Sequence, residues 1–180
     1  EAEEEACNRV REIDRRCLEE LEKIRADFSA LQHPWMHDSA APSHDQIGRI
    51  ISDSAGVIIT GGHVAVLRNR MKFFGVEHLL QDCLDEGGNI YCWSAGAMAL
   101  TDQIVLYYDN PPEGVGHPEL LDTGLGLVPD TVLLPHASRR LNLRDNQRVE
   151  RFARRFSRQT CICLENGAHL VYDRNKLRDL

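Results

Sequence analysis

The sequence has no apolar run approaching the roughly 18 residues needed to cross a bilayer. Its opening, Glu1-Ala2-Glu3-Glu4-Glu5, is the opposite of the cationic, apolar start of a secretory leader. A soluble, cytoplasmic protein with no membrane partner is therefore expected. C-x-x-C is absent too. The six cysteines (Cys7, Cys17, Cys83, Cys92, Cys161 and Cys163) are scattered through helix-like and strand-like patterns rather than set in a compact secreted framework. They read as reduced thiols, mostly packing. Excess positive charge is missing as well: a net charge of −7 offers phosphate backbones no basic surface, so no general affinity for nucleic acid is expected.

What is present suffices for a single domain over residues 1–180. The chain is long enough, at 180 residues and 42% hydrophobic, for a real core and too short for two comfortable ones. It begins with Glu and ends at Asp179-Leu180, so edge elements of that domain can lie outside it.

The stretch around which the chain is organised is Asn89-Ile90-Tyr91-Cys92-Trp93-Ser94-Ala95-Gly96-Ala97-Met98-Ala99. It reads as a short apolar strand, a serine among small residues, and an alanine-rich helix start. A strand that turns sharply into a helix through Ser-x-Gly lifts the hydroxyl clear of the backbone, and small neighbours let the strained turn close. The Ala95 amide then stands at a helix N-terminus, where unpaired N–H groups and the helix dipole suit a developing oxyanion. By itself the motif favours a plainer reading, a buried turn with a capping serine, because Cys92 rather than glycine stands two residues before Ser94. The rest of the chain decides between the two.

From Ala6 to Leu31, apolar residues at Val10, Ile13, Cys17, Leu21, Ile24, Phe28 and Leu31 make one helical stripe. The pattern predicts a long helix laid against a sheet, with the stripe also available to a homodimer. His33–Pro42 has no period and reads as loop, its histidines as surface rather than metal ligands. Ser43-His44-Asp45-Gln46 resembles a capping box opening a helix that buries Ile47, Ile50 and Ile51. Gly56-Val57-Ile58-Ile59-Thr60 is the type of run expected of a parallel strand buried on both faces. Gly61-Gly62 follows at once, where ligands sit in open α/β sheets, although by itself the pair favours an ordinary tight strand-to-helix turn. Helices over about Val64–Lys72 and from Val76 to Leu84, the latter capped by Gly87-Gly88, deliver the chain to the strand before Ser94. Strand, helix, strand, elbow, helix is a βαβ order, which predicts a mostly parallel sheet with helices on both faces and sets Gly61-Gly62 and Ser94 at one edge.

Further on, Ile104–Tyr108 is apolar, and Asp109–Gly116 is a loop that can act as a lid or carry an acid. Thr131–Leu134 reads as a buried strand ending at Pro135-His136, and the topology places His136 near Ser94. The helix expected over Arg144–Arg158 turns Val149, Phe152 and Phe156 inward. Eight arginines lie between Arg139 and Arg158, too widely spread for one basic patch, which ranks a nucleic-acid binder last. Arg139 and Arg140 are the two positioned to meet a substrate carboxylate or side chain. In the strand Thr160–Leu164, Cys161 and Cys163 share a face and read as packing rather than metal ligands. Glu165-Asn166-Gly167 then makes a tight turn.

With Gly61-Gly62, Trp93-Ser94-Ala95-Gly96-Ala97, Pro135-His136 and Leu164-Glu165-Asn166-Gly167 in that order, the chain resembles peptidase family S51. That family includes aspartyl dipeptidase and cyanophycinase, within the class I glutamine amidotransferase-like superfamily. The resemblance spans about Gly56 to Tyr172 and implies a flavodoxin-like three-layer sandwich. It also implies a serine peptidase of small peptides acting without cofactor or metal. On this likeness Ser94 is the nucleophile, His136 the base and Glu165 the acid that orients it, with Asp109 and Glu113 as rival acids. Gly62 and Ala95 supply the oxyanion hole, and His63, Arg139 and Arg140 are the substrate contacts. His63 stands where the family usually has Asn or Asp. The segment His136-Ala137-Ser138-Arg139-Arg140 looks nearer to cyanophycinase than to aspartyl dipeptidase. The alternative function is an amidotransferase-like binding or regulatory domain that keeps the elbow without turnover.

Overall fold

In the computed structural model, which describes residues 2–107, 117–173 and 176–179, helices alternate with short strands that pair two by two. The elements are α1 (Ala2–Gln32), a 3-10 turn (Pro34–Met36), α2 (Ala41–Ser52), β1 (Gly56–Ile59), α3 (Val64–Phe73), α4 (Val76–Asp85), β2 (Asn89–Cys92) and α5 (Ala95–Ala99). They continue with β3 (Gln103–Leu106), β4 (Glu119–Thr123), β5 (Thr131–Pro135), α6 (Ala137–Arg140), α7 (Asn146–Arg155), β6 (Thr160–Leu164), β7 (Val171–Asp173) and β8 (Lys176–Asp179). Among the described residues, β1–β2 and β5–β6 are parallel pairs, whereas β3–β4 and β7–β8 are antiparallel. The class is mixed α/β with small sheets. No helix among the described residues is long and apolar enough to cross a membrane. The chain forms two compact units, Glu22–Ala99 and the combination of Glu1–Leu21 with Leu100–Leu180.

In the unit Glu22–Ala99 the βαβ order is as the sequence predicts. β1 and β2 run parallel with Gly56 beside Asn89 and Ile59 beside Cys92. Helix α4 ends because Gly87 adopts φ 87°, letting the Gly87 N–H donate to Leu84 O (3.1 Å) and the Gly88 N–H to Cys83 O (2.8 Å), a glycine cap of the Schellman type. The expectation that β1 is buried on both faces fails. Ile59 is buried, but Ile58 is 65% exposed and its register partner Tyr91 59%. Alternating side chains leave a strand by opposite faces, and only one face of this pair is covered; an apolar run does not itself specify how many layers enclose it. The capping box is also corrected. Helix α2 begins at Ala41, with Pro42 in its first turn and no side-chain cap, so Ser43 lies inside the helix. Proline has no N–H to satisfy there and its φ is already helical, so it starts the helix without a cap. Of its three isoleucines, Ile51 is buried, Ile47 half-buried and Ile50 exposed. Residues His33–Pro42, expected to be loop, hold the 3-10 turn at Pro34–Met36.

In the other unit β5 is buried along its whole length, as expected of Thr131–Leu134. It pairs with β6 so that Thr131 meets Thr160 and Pro135 meets Leu164. Helix α7 is shorter than the arginine-rich stretch suggested. It starts after Asp145, whose carboxylate accepts the Arg148 N–H (3.1 Å), and it buries Phe152 with Phe156 just past its end. Strands β4 and β8 were not foreseen. Both are brief and charged, too short for a period to register.

The largest correction concerns α1. None of its residues is buried, and Val10, Ile13, Cys17, Ile24, Phe28 and Leu31 of the expected core stripe are exposed. In its first part the half-buried positions are Glu12 and the row Cys7, Arg11, Asp14 and Leu18. That row has the same helical spacing displaced by one residue, which is about 100° round the helix. Polar anchoring fixes that rotation. Arg155 donates to both carboxylate oxygens of Asp14 (2.8 and 2.7 Å) and also to the Pro118 carbonyl (2.7 Å). Bidentate, partly buried charge pairs of this kind are the strong ones. We expect Arg155→Ala to cost about 2 kcal/mol of stability, because it leaves the half-covered Asp14 carboxylate without its partner. The loss should read out as faster amide exchange along the first five turns of α1. Unchanged exchange there would show that the helix is held by something else.

Candidate active site

Ser94 sits where the sequence places it, between β2 and α5, and its backbone is left-handed at φ 55°. A non-glycine residue in this region costs energy that neighbouring structure must hold in place. Here the restraint comes from close backbone packing. The Trp93 N–H donates to Ile59 O (3.2 Å) and the Gly96 N–H to Trp93 O (3.1 Å). A Cβ at Gly96 would stand only 2.4 Å from the Ile59 carbonyl oxygen and 2.8 Å from that of Thr60, so glycine alone lets α5 begin against the end of β1. All five residues of α5 are buried. Gly61 closes over the serine from the other side: a Cβ there would be 3.0 Å from Ser94 Cβ and 3.2 Å from Ser94 Oγ. Gly62 has open space around it, but its φ of 149° is one that side-chain-bearing residues rarely adopt. His63, next in line, is exposed at the N-cap of α3, and its ring makes no capping bond.

Cys92, two residues before Ser94, is no rival nucleophile. Burial pushes its thiol up to about 11, so it stays protonated at neutral pH, and the thiolate is the reactive form. On β6, burial likewise pushes Cys161 up to about 11 and Cys163 in the same direction. Protonated thiols are poor metal ligands, and among the described residues no group of three or more His, Cys, Asp or Glu is gathered to hold a metal.

The other unit carries the second group. Because Pro135 is paired with Leu164, the residues that follow, His136 and Glu165, emerge from the same end of neighbouring parallel strands. His136 is also left-handed, at φ 60°, and serves as N-cap of α6 without a side-chain cap bond. Its N–H donates to Leu164 O (2.8 Å), and the buried Tyr107 hydroxyl donates to the Pro135 carbonyl just before it (2.5 Å). Glu165 does the capping that His136 does not. One carboxylate oxygen accepts the Ser138 N–H (2.6 Å) and the other the Ser138 hydroxyl (2.8 Å). The turn beyond it closes through the Ala168 N–H on Glu165 O (3.0 Å), with Gly167 at φ 87°. Arg139 and Arg140 are exposed on α6, above buried Ala137 and Leu141.

The Ser138 N–H holds the Glu165 carboxyl below its ordinary value of 4.5, with the Ser138 hydroxyl and the nearby His136 adding to the effect. A folded-state value below the unfolded one stabilises the fold fully above the unfolded pKa, and that stabilisation is lost as pH falls through the folded pKa. Carbon-detected titration of Glu165 is therefore expected to give a midpoint below 4.5, and Ser138→Ala to move it upward. A midpoint at or above the ordinary value would mean that Ser138 does not grip the carboxylate in solution.

The residues singled out from the sequence thus fall into two groups: Gly62, His63, Ser94 and Ala95 in one unit, and His136, Arg139, Arg140 and Glu165 in the other. Asp109 and Glu113 lie outside the described residues. Ser138 was not singled out. Its signal was there to be read, a serine in the first turn of a helix that opens directly after the histidine.

The family model of peptidase family S51 matches residues 15–180, and the chain belongs to peptidase family S51. No curated protein matches it. Membership supports a peptidase, a hydrolase of peptide bonds.

Proposed function

We propose that this chain is a serine peptidase that cleaves small peptides, with aspartyl dipeptides or cyanophycin-derived β-aspartyl-arginine as substrates. In this reading its one domain has the flavodoxin-like sandwich of the resemblance. The observation that carries the proposal is the left-handed Ser94 at the β2–α5 turn, held by glycine backbone on two sides. Such a turn exposes a hydroxyl at the end of a strand and recurs where serine acts as nucleophile.

In this mechanism Ser94 Oγ attacks the scissile carbonyl while His136 accepts its proton. The tetrahedral oxyanion is received by the backbone N–H groups of Gly62 and Ala95, where losing one donor typically costs about 3 to 4 kcal/mol of barrier lowering. The carbon–nitrogen bond then breaks, His136 returns the proton to the leaving amine, and an acyl-enzyme remains. Water, deprotonated by His136, hydrolyses the ester and releases Ser94. Glu165, kept ionised, orients His136 and stabilises it when charged. Arg139 and Arg140, with His63, face the carboxylates of an acidic substrate.

Amine release from short peptides, including α-aspartyl dipeptides and β-aspartyl-arginine, tests the proposal. Release by the intact chain that disappears in Ser94→Ala supports it, and the preferred peptide separates the dipeptidase from the cyanophycinase specificity. No release from any peptide by the folded protein would replace it with the non-catalytic binding domain.

A further inference from the structure

We propose that Ser138 is a positioning residue for the reaction, clamping both oxygens of Glu165 so that the carboxylate stays aimed at His136 throughout turnover. The inference rests on the serine peptidase reading above and adds a residue that the family resemblance did not single out.

The clamp follows from register. Pairing of Pro135 with Leu164 brings the ends of β5 and β6 level, so that Glu165 lies beside the first turn of α6. Helix starts leave N–H groups without intrahelical partners, and His136, the N-cap, supplies no side-chain acceptor. Glu165 fills that vacancy from a neighbouring strand. Its two bonds to Ser138, at 2.6 and 2.8 Å, are charge-assisted and involve both the main chain and the side chain of one residue. A carboxylate held at each oxygen by a single residue loses its freedom to rotate about the last side-chain bond. Each oxygen still has a second lone pair, so the clamp does not use up the capacity to accept from an imidazole N–H.

Two groups of the same unit set the other half of the geometry. The Tyr107 hydroxyl and Leu164 carbonyl pin the backbone on either side of the Pro135–His136 peptide bond. His136 therefore has a fixed base, and Glu165 has a fixed head. Without the Ser138 hydroxyl the carboxylate keeps one bond and can swing, so it would stabilise the imidazolium less. Proton transfer from Ser94 Oγ would then be slower, and kcat would drop with KM unchanged.

The test compares the intact chain with Ser138→Ala, Ser138→Thr, Glu165→Gln and Ser94→Ala. It measures kinetics on whichever peptide the wild type cleaves, and titrates the Glu165 carboxylate by carbon-detected NMR, its signal assigned with Glu165→Gln. We expect Ser138→Ala to lose about tenfold in kcat with KM unchanged, the size of one hydrogen bond to a charged group. The Glu165 midpoint should rise in Ser138→Ala, kcat should fall further in Glu165→Gln, and Ser138→Thr, which retains the hydroxyl, should restore both readings of Ser138→Ala. Wild-type kcat and an unmoved Glu165 midpoint in Ser138→Ala would overturn the clamp while leaving the peptidase intact. Loss of activity with an unmoved midpoint, or equal loss in Ser138→Thr, would also overturn it, assigning Ser138 to the fold alone. A wild type that cleaves nothing, or a Ser94→Ala variant as active as the wild type, would remove the peptidase reading and the clamp with it.

Discussion

Replacing Ser94 by alanine is expected to lower kcat on any cleaved peptide by on the order of 10⁴-fold or more, since removing a serine nucleophile leaves only what the oxyanion donors and binding provide. The fold should be kept, because alanine is smaller and α5 packs through its own buried residues. A second substitution at the same site separates chemistry from strain. Ser94 holds φ 55°, a conformation that costs any side-chain-bearing residue about 1 kcal/mol and glycine almost nothing. Ser94→Gly should therefore be equally inactive yet at least as stable as the wild type, despite the greater freedom glycine gives the unfolded chain. Urea unfolding of the two variants, read beside their activity, checks both halves. An active Ser94→Ala would sink the nucleophile assignment, and a Ser94→Gly clearly less stable than Ser94→Ala would show that the turn is not strained.

The second large effect is expected at Gly96. A Cβ there meets the main chain of Ile59 and Thr60 at 2.4 to 2.9 Å, and none of these atoms is the end of a flexible side chain. Gly96→Ala must push α5 away from the end of β1, and we expect a loss of about 3 kcal/mol in urea unfolding, the upper range of overpacking. Gly61→Ala makes the instructive contrast. Its nearest neighbours are Cβ and Oγ of Ser94, so the serine is displaced rather than the backbone. The cost should fall on kcat by about 100-fold, since misplacing a reacting atom by a fraction of an ångström to 1 Å is enough for that, with smaller loss of stability. If Gly96→Ala were as stable as the wild type, the tight approach of α5 to β1 would not exist in solution.

These effects cluster where the sequence was most legible. The strand–serine–helix turn could be read directly because its requirements are local. A serine flanked by Trp93 and Ala95, and a glycine two residues on, are dictated by backbone geometry within one turn of chain. The same holds for the Gly87-Gly88 cap and for the apolar run of β5. Where a pattern had to be completed by distant residues it misled. Helix α1 has an apolar stripe, yet its rotation is governed by an ion pair between Asp14 and Arg155, 141 positions apart, and periodicity contains no information about such a pair. The capping signal at Ser43 lost to Pro42, which starts α2 earlier. β1 reads as fully buried, but burial depends on layers supplied by the surroundings rather than on the run itself.

The candidate site divides along the same line. Residue types at fixed short spacings were enough for the sharp strand–serine–helix turn at Ser94, for the small residue at Gly96 that lets it close, and for the likeness to the family to which the chain belongs. The left-handed φ of Ser94 and the close approach of Gly61, by contrast, came from the folded chain. What Glu165 touches emerges only once the chain is folded. That depends on the register between β5 and β6, two strands separated by α6 and α7, and a slip of one residue would carry Glu165 away from Ser138. Register is set by the summed fit of buried side chains along both strands, a property of the folded pair that no single motif encodes.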